Sequence, residues 1–233
     1  MKTNLLAGIV SSELVTSGPA FDASGLVHQV REPGTSGPHP LRACVMLHGR
    51  SGDETVMWVF ARTLPARWLL AAPRAIKPDP DRGYAWHPRK PDEWPPFHMF
   101  DEAVAAVAGF LHALPGLYHA DPAHVYLMGF SQGAAVAYAT AMRHPGLVKG
   151  IAGLVGFMPA ENGSIASAAP LKDVPVFMAV GKQDPTIPLV VAEACARALR
   201  EAGAQLDYHE YDTGHKLDIQ GMRDLTNWWK QRG

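Results

Sequence analysis

Two cysteines are all that this chain carries in 233 residues, which rules out a disulfide scaffold. Cys44 lies in an apolar run and Cys195 in a helical pattern, so both suit small buried hydrophobes better than a bridge or a metal site. Such usage fits a reducing cytoplasm. Charge is also scarce: 18% of residues are charged, and 21 Lys+Arg against 22 Asp+Glu leave a net charge of −1. That balance lacks the electrostatic footprint of a nucleic-acid binder or of a protein held on an anionic membrane. No run approaches the ~18–20 apolar residues of a membrane span, so no insertion into a bilayer is expected. The apolar patch at residues 5–10 follows Lys2, but it is too short for a secretory leader, is interrupted by Gly8 and is soon followed by Glu13; it reads as a strand. Repeats and low-complexity tracts are absent. What remains is a length suited to a single α/β domain over residues 1–233, able to bury roughly 70–75% of its unfolded surface.

Hydrophobic patterning supplies the order of elements. Residues 5–15 and 25–30 read as two opening strands joined by a Gly18-Pro19 turn, antiparallel at a sheet edge. Ala43-Cys44-Val45-Met46-Leu47 is continuously apolar, as in a strand covered on both faces of a parallel sheet. A helix over 54–64 and a strand over 68–72 follow. Residues 74–100, rich in proline, charge and aromatics, read as a long surface excursion of the kind that builds pockets in α/β proteins. Beyond it come a helix over 101–114, capped by Asp101 and ended by Pro115-Gly116, and then strands over 125–128, 150–157, 174–180 and 206–211. Helices over 132–143, 188–203 and 217–231 separate or follow them, the last bringing Trp228 and Trp229 to the sheet. Strand and helix periods thus alternate from residue 43 onward, which predicts a doubly wound, mostly parallel sheet flanked by helices.

The stretch Val125-Tyr126-Leu127-Met128-Gly129-Phe130-Ser131-Gln132-Gly133 organises the chemistry. A serine on a sharp strand-to-helix turn has a strained backbone, and only small residues two places to either side let strand and helix pass closely. Ser131 is therefore the candidate nucleophile, against the plainer reading of a helix N-cap. A serine hydroxyl needs a base within hydrogen-bond reach, and the base needs a third group to hold its tautomer. Of the 11 histidines, His215 follows a late strand in a short Gly-flanked loop and is preferred as the base. His48 competes, but next to Gly49 at the end of a buried strand it is better placed to brace loops. His87 and His98, in the long excursion, are expected in solvent. Asp184 directly follows an apolar strand and precedes Pro185, which makes it the preferred orienting acid; Asp212 is its rival, with Asp173 and Asp207 at the surface. The oxyanion formed by attack needs preorganised donors, for which the backbone N–H of Gln132 and that of Arg50 are the candidates. The Arg50 side chain is free to face solvent or to pair with Asp53. Trp86, Phe97, Met99, Met158 and Ile187 are candidate substrate contacts, with the equal alternative that Trp86, Trp94, Phe97 and Met99 of the excursion merely pin that loop down.

With these motifs assembled, the chain resembles the phospholipase/carboxylesterase family of α/β-hydrolases, the group of acyl-protein thioesterases and small bacterial carboxylesterases. Leu47-His48-Gly49, Gly129-Phe130-Ser131-Gln132-Gly133, Gly181-Lys182-Gln183-Asp184-Pro185, Gly214-His215 and the Gly83-Tyr84-Ala85-Trp86 segment carry the resemblance over about residues 40–230. It implies an α/β-hydrolase fold without a large cap domain, with Ser131, Asp184 and His215 as catalytic triad and main-chain donors at Arg50 and Gln132. One departure is His48-Gly49-Arg50-Ser51-Gly52-Asp53 where many members have His-Gly-Leu-Gly-Asp, which points toward the bacterial branch. The activity implied is hydrolysis of small esters of short to medium acyl chains, with no cofactor and no metal. The only partner implied is a small-molecule ester; a homodimer is a possible assembly. Alternatives are a lysophospholipase or acyl thioesterase on the same machinery, and a non-catalytic α/β-hydrolase binding module. A metallo-hydrolase lacks any His-Glu-x-x-His or close His/Asp spacing.

Overall fold

The computed structural model describes residues 12–33, 40–88 and 94–233. The apolar patch at 5–10, most of the first expected strand and part of the long excursion lie outside the described residues. Among the described residues, ten strands and six α-helices follow in chain order: β1 (Glu13–Val15), α1 (Pro19–Ser24), β2 (His28–Arg31), β3 (Leu41–Leu47), β4 (Leu69–Pro73), β5 (Lys77–Pro78), β6 (Tyr84–Ala85), α2 (Asp101–Tyr118), β7 (Ala120–Phe130), α3 (Gln132–Arg143), β8 (Gly150–Leu154), α4 (Gly163–Ala166), β9 (Pro175–Gly181), α5 (Leu189–Glu201), β10 (Gln205–Tyr211) and α6 (Ile219–Lys230). Eight of the strands form one sheet in the order β1-β2-β4-β3-β7-β8-β9-β10. From β4 to β10 every pairing is parallel, and β1 and β2 add an antiparallel edge. The central strands are the apolar runs of the sequence; Cys44, Val45, Met46 and Leu47 of β3 are each 0% exposed, because helices cover both faces.

Leaving β3 the chain turns one way to build β4, and leaving β7 it turns the other way to build β8. The loops after β3 and β7 therefore diverge at the carboxyl end of the sheet. This switch point is where open α/β sheets bind ligands.

On one face Trp68 stacks on Tyr126 with centroids 4.8 Å apart, and Trp229 meets both edge-on. Trp228 and Trp229 of α6 are thus docked on the sheet as expected, with Trp228 beside Phe177. Cys44 and Cys195 are both free and buried, and burial pushes both thiols up.

Several elements differ from expectation for identifiable reasons. The Gly18-Pro19 turn is instead the start of α1, with proline in the first helical turn and Gly25 closing it in the left-handed region at φ 71°. Residues 56–63 form a 3-10 rather than an α-helix. Pro115 does not end α2: the helix runs through it to Tyr118 and stops where His119 turns left-handed at φ 56°. Asp101 is the first helical residue rather than a cap, and its carboxylate pairs with Arg143. Residues 97–118 form a stretch that by length and composition could cross a bilayer, at a mean hydropathy of 1.2. Within the fold its apolar stripe, including Val107, Phe110, Leu111 and Leu114, is buried against β7 and α3. No large cap is inserted after β8, where the chain makes only the four-residue α4 before β9.

Candidate active site

Ser131 sits between β7 and α3 with φ 53° and ψ −117°, a conformation that side chains rarely adopt. Its N–H donates to the Leu154 carbonyl across the sheet at 2.9 Å, and its carbonyl accepts from Ala134 N–H at 3.0 Å. These bonds hold the turn in place. The flanking glycines are dictated by crowding: a Cβ on Gly129 would lie 2.3 Å from the Gly133 carbonyl oxygen, and one on Gly133 would lie 2.1 Å from that of Leu47. The loop after β3 reaches the same spot, because a Cβ on Gly49 would lie 3.3 Å from Ser131 Cβ. Arg50, the candidate donor, directly follows Gly49 in that loop. Gln132 opens α3, so its N–H is one of the helix-initial donors that have no intrahelical acceptor.

The structure also brings Asp184 and His215 together. Asp184 follows β9 and is almost sealed, its side chain 1% exposed. One carboxylate oxygen accepts the N–H groups of Thr186 and Ile187 at 2.8 and 3.0 Å, and the other accepts His215 Nδ1–H at 2.7 Å. That hydrogen bond leaves Nε2 of the imidazole as the free acceptor, the tautomer a general base requires. The two loops are laced by Gln183 N–H donating to the Thr213 carbonyl and Lys182 N–H to that of Tyr211. Gly181 permits the lacing, since a Cβ there would lie 2.3 Å from the Gly214 carbonyl oxygen. The His215 ring meets Phe130, the residue before the nucleophile, edge-on at 5.2 Å. Asp212, the rival acid, is instead paired with Lys182 at the surface.

His48 is fully buried. Its Nδ1–H donates to the Gly49 carbonyl at 2.7 Å and its Nε2 accepts Ala75 N–H at 2.9 Å, which is the loop-bracing arrangement expected of it.

The aromatic residues of the excursion take the loop-pinning role, the alternative reading of them. Trp86 is 1% exposed, and its indole N–H donates to the His48 carbonyl at 2.8 Å, so it pins the excursion. Phe97 is likewise enclosed, covered by the Arg143 guanidinium 5.0 Å above its ring. His87, expected in solvent, is packed edge-on against Phe100. Met158 and Ile187 are buried, Ile187 beside Asp184 through the N–H that holds it, and Met99 is half-buried. Arg50 pairs with Asp79 and Asp81 rather than with Asp53, whose carboxylate caps Thr55.

Three features escaped the sequence. Glu54, 4% exposed, holds Arg74 through two bonds of 2.6 and 2.7 Å, and Arg74 lies over the Tyr84 ring. Asp79 is buried as the acceptor for Arg50. The Gln132 side chain accepts Trp86 N–H at 2.7 Å and donates to the His87 carbonyl at 3.3 Å. The Asp79-Pro80-Asp81 turn was the one local signal available; the other pairings join residues too distant in sequence to be read.

Electrostatics give a testable pH response. Burial holds the imidazoles of His28, His48 and His87 below their ordinary value of 6.5. Below that pH the unfolded chain binds more protons than the folded one, so stability falls as pH drops through the unfolded value toward the folded ones. The carboxyls act in the same direction at lower pH. The Arg74 fork lowers that of Glu54, and in Asp79 the upward pull of burial is outweighed by Arg50 and the Asp81 N–H. The melting temperature is therefore expected to fall between about pH 7.5 and pH 5.5, as read by calorimetry. A flat profile over that window would contradict the burial of neutral imidazoles.

Known proteins share this arrangement of elements. A carboxylesterase from Mesorhizobium loti superposes with a TM-score of 0.77 at 23% identity, covering 94% of this chain and 98% of that one, which establishes the α/β-hydrolase fold. In sequence the chain is similar to a probable carboxylesterase SOBER1-like protein of Arabidopsis thaliana, 30% identical over 115 residues, or 48% of this chain and 44% of the relative. It is also similar to a probable inactive carboxylesterase of Oryza sativa subsp. japonica, 25% identical over 220 residues, 84% of this chain and 87% of that protein. The chain spans about half the length of the Arabidopsis relatives it matches, 44% and 50%. The family model for phospholipase/carboxylesterase matches residues 112–231, the half of the chain that contains the Ser131 turn, the Asp184 loop and the His215 loop, and the chain belongs to that family.

Proposed function

We propose that this chain hydrolyses small carboxylic esters of short to medium acyl chains through an acyl-enzyme on Ser131. The observation that carries the reading is the Asp184–His215 hydrogen bond of 2.7 Å at the same sheet end as a serine held at φ 53°. His215 Nε2 takes the Ser131 proton as Oγ attacks the ester carbonyl, and the N–H groups of Arg50 and Gln132 receive the oxyanion. The imidazolium then returns the proton to the leaving alcohol. In the second half a water gives its proton to His215 and attacks the acyl carbon, and the proton returns to Ser131 Oγ as the acid departs. Ile187, whose N–H holds Asp184, and Met158 are proposed to contact the acyl chain.

A fluorophosphonate probe tests the reading. Stoichiometric labelling at Ser131, together with turnover of p-nitrophenyl esters that peaks at short or medium chain length, is the expected result. Higher turnover of lysophospholipid or acyl-CoA would move the substrate class to those lipids or thioesters. No labelling and no turnover would leave a non-catalytic binding module.

A further inference from the structure

The two residues whose main-chain N–H groups would receive the oxyanion come from different loops, after β3 and at the start of α3. Both carry a side chain tied to one and the same stretch, residues 79–87. Arg50 forks onto Asp79, Nε to Oδ2 at 2.5 Å and Nη2 to Oδ1 at 3.2 Å, and Nη2 also reaches Asp81 at 3.3 Å. Gln132 accepts Trp86 N–H at 2.7 Å and donates to the His87 carbonyl at 3.3 Å. The stretch is itself braced. Asp79 Oδ1 accepts Asp81 N–H, Asp79 N–H donates to the Gly83 carbonyl, and β5 pairs with β6. It is also fixed against the loop after β3, through Tyr84 N–H to the Gly52 carbonyl at 2.8 Å and the Trp86 indole to the His48 carbonyl at 2.8 Å. Gly83 allows this approach: it is at φ 59°, and a Cβ there would lie 2.6 Å from the Ser51 carbonyl oxygen.

An oxyanion hole works only if both donors stand about 2.7–3.1 Å from one oxygen before the charge forms. Here the side chains of both candidate donor residues, on two diverging loops, are held by one third segment. We propose that residues 79–87 are a strap that sets the spacing of the two oxyanion donors, with Asp79, through Arg50, as its principal positioning residue. This rests on the hydrolase reading above. A strap that merely stabilised the loops would affect melting temperature and KM and leave kcat alone.

The test compares Asp79→Asn and Arg50→Met with wild type. Removing an oxyanion donor costs about 10²–10³ in kcat, and displacing one should cost less. Both variants are expected to lose about 10–100-fold in kcat with KM within about threefold, and to bind a trifluoromethyl ketone, whose adduct places an oxyanion in the hole, more weakly in the same proportion. Arg50→Lys, which keeps the charge but not the fork, should recover part of the loss. Hydrogen exchange reads the tether without turnover: amides 49–52 should exchange at least about tenfold faster in Asp79→Asn. Unchanged kcat and ketone affinity, or unchanged exchange, would overturn the strap. If wild type itself turned over no ester, the hydrolase reading would fall, and the exchange measurement would still decide the tether.

Discussion

Ser131→Ala is expected to lower kcat by about 10⁴–10⁶ while leaving the fold intact, measured as p-nitrophenyl ester turnover beside a thermal melt. Stability should survive because alanine adopts the turn at the same cost as serine and leaves in place the main-chain bonds to Leu154 and Ala134. Ser131→Gly sharpens the test. Strain at φ 53° and ψ −117° costs roughly 1–3 kcal/mol for a residue with a Cβ, against roughly 0.5–1 kcal/mol of extra chain entropy for glycine. The glycine variant should therefore melt above the alanine one while being equally inactive. Turnover retained in either variant would remove Ser131 from the mechanism.

Gly133→Ala is expected to be among the most destabilising substitutions in the chain, at about 3–5 kcal/mol, read as a shift in the urea midpoint. The added Cβ would meet the carbonyl oxygens of Leu47 and His48 at 2.1 and 2.6 Å. Both belong to a fully buried strand end that has nowhere to retreat. α3 would have to lift off β3, and the nucleophile would move with it. Gly109→Ala is the control. It lies inside α2, and nothing stands within 4 Å of its Cβ position, so it should stabilise by about 0.5–1 kcal/mol. A Gly133→Ala protein as stable as wild type would mean that the elbow is looser than its contacts imply.

The contrast between these glycines shows what a sequence can disclose. Gly129 and Gly133 were legible because a serine turn between strand and helix imposes a local spacing, and α3 appears over the residues expected for it, Gln132–Arg143. Asp184 and His215 were legible as loop residues at strand ends, since parallel topology sends all such ends to one side. Trp86 and Phe97 were left between two readings because an aromatic residue in a proline-rich loop looks the same in sequence whether it lines a pocket or pins the loop. Pro115 misled because its missing N–H matters less near the end of a long helix whose other contacts hold it. The grip of Gln132 on residues 86–87 was invisible, as it joins positions more than forty apart.

His215, the proposed base, is carried on the loop after β10, which among the described residues is a sheet-edge strand paired on one side only, whereas Ser131 follows β7 in the middle of the sheet. Fraying that begins at that margin would carry the imidazole away first and leave the serine turn standing. On the proposed mechanism, mild denaturant should therefore abolish ester turnover at concentrations where most of the helix content survives, so that residual turnover reports on one flank of the molecule rather than on the whole.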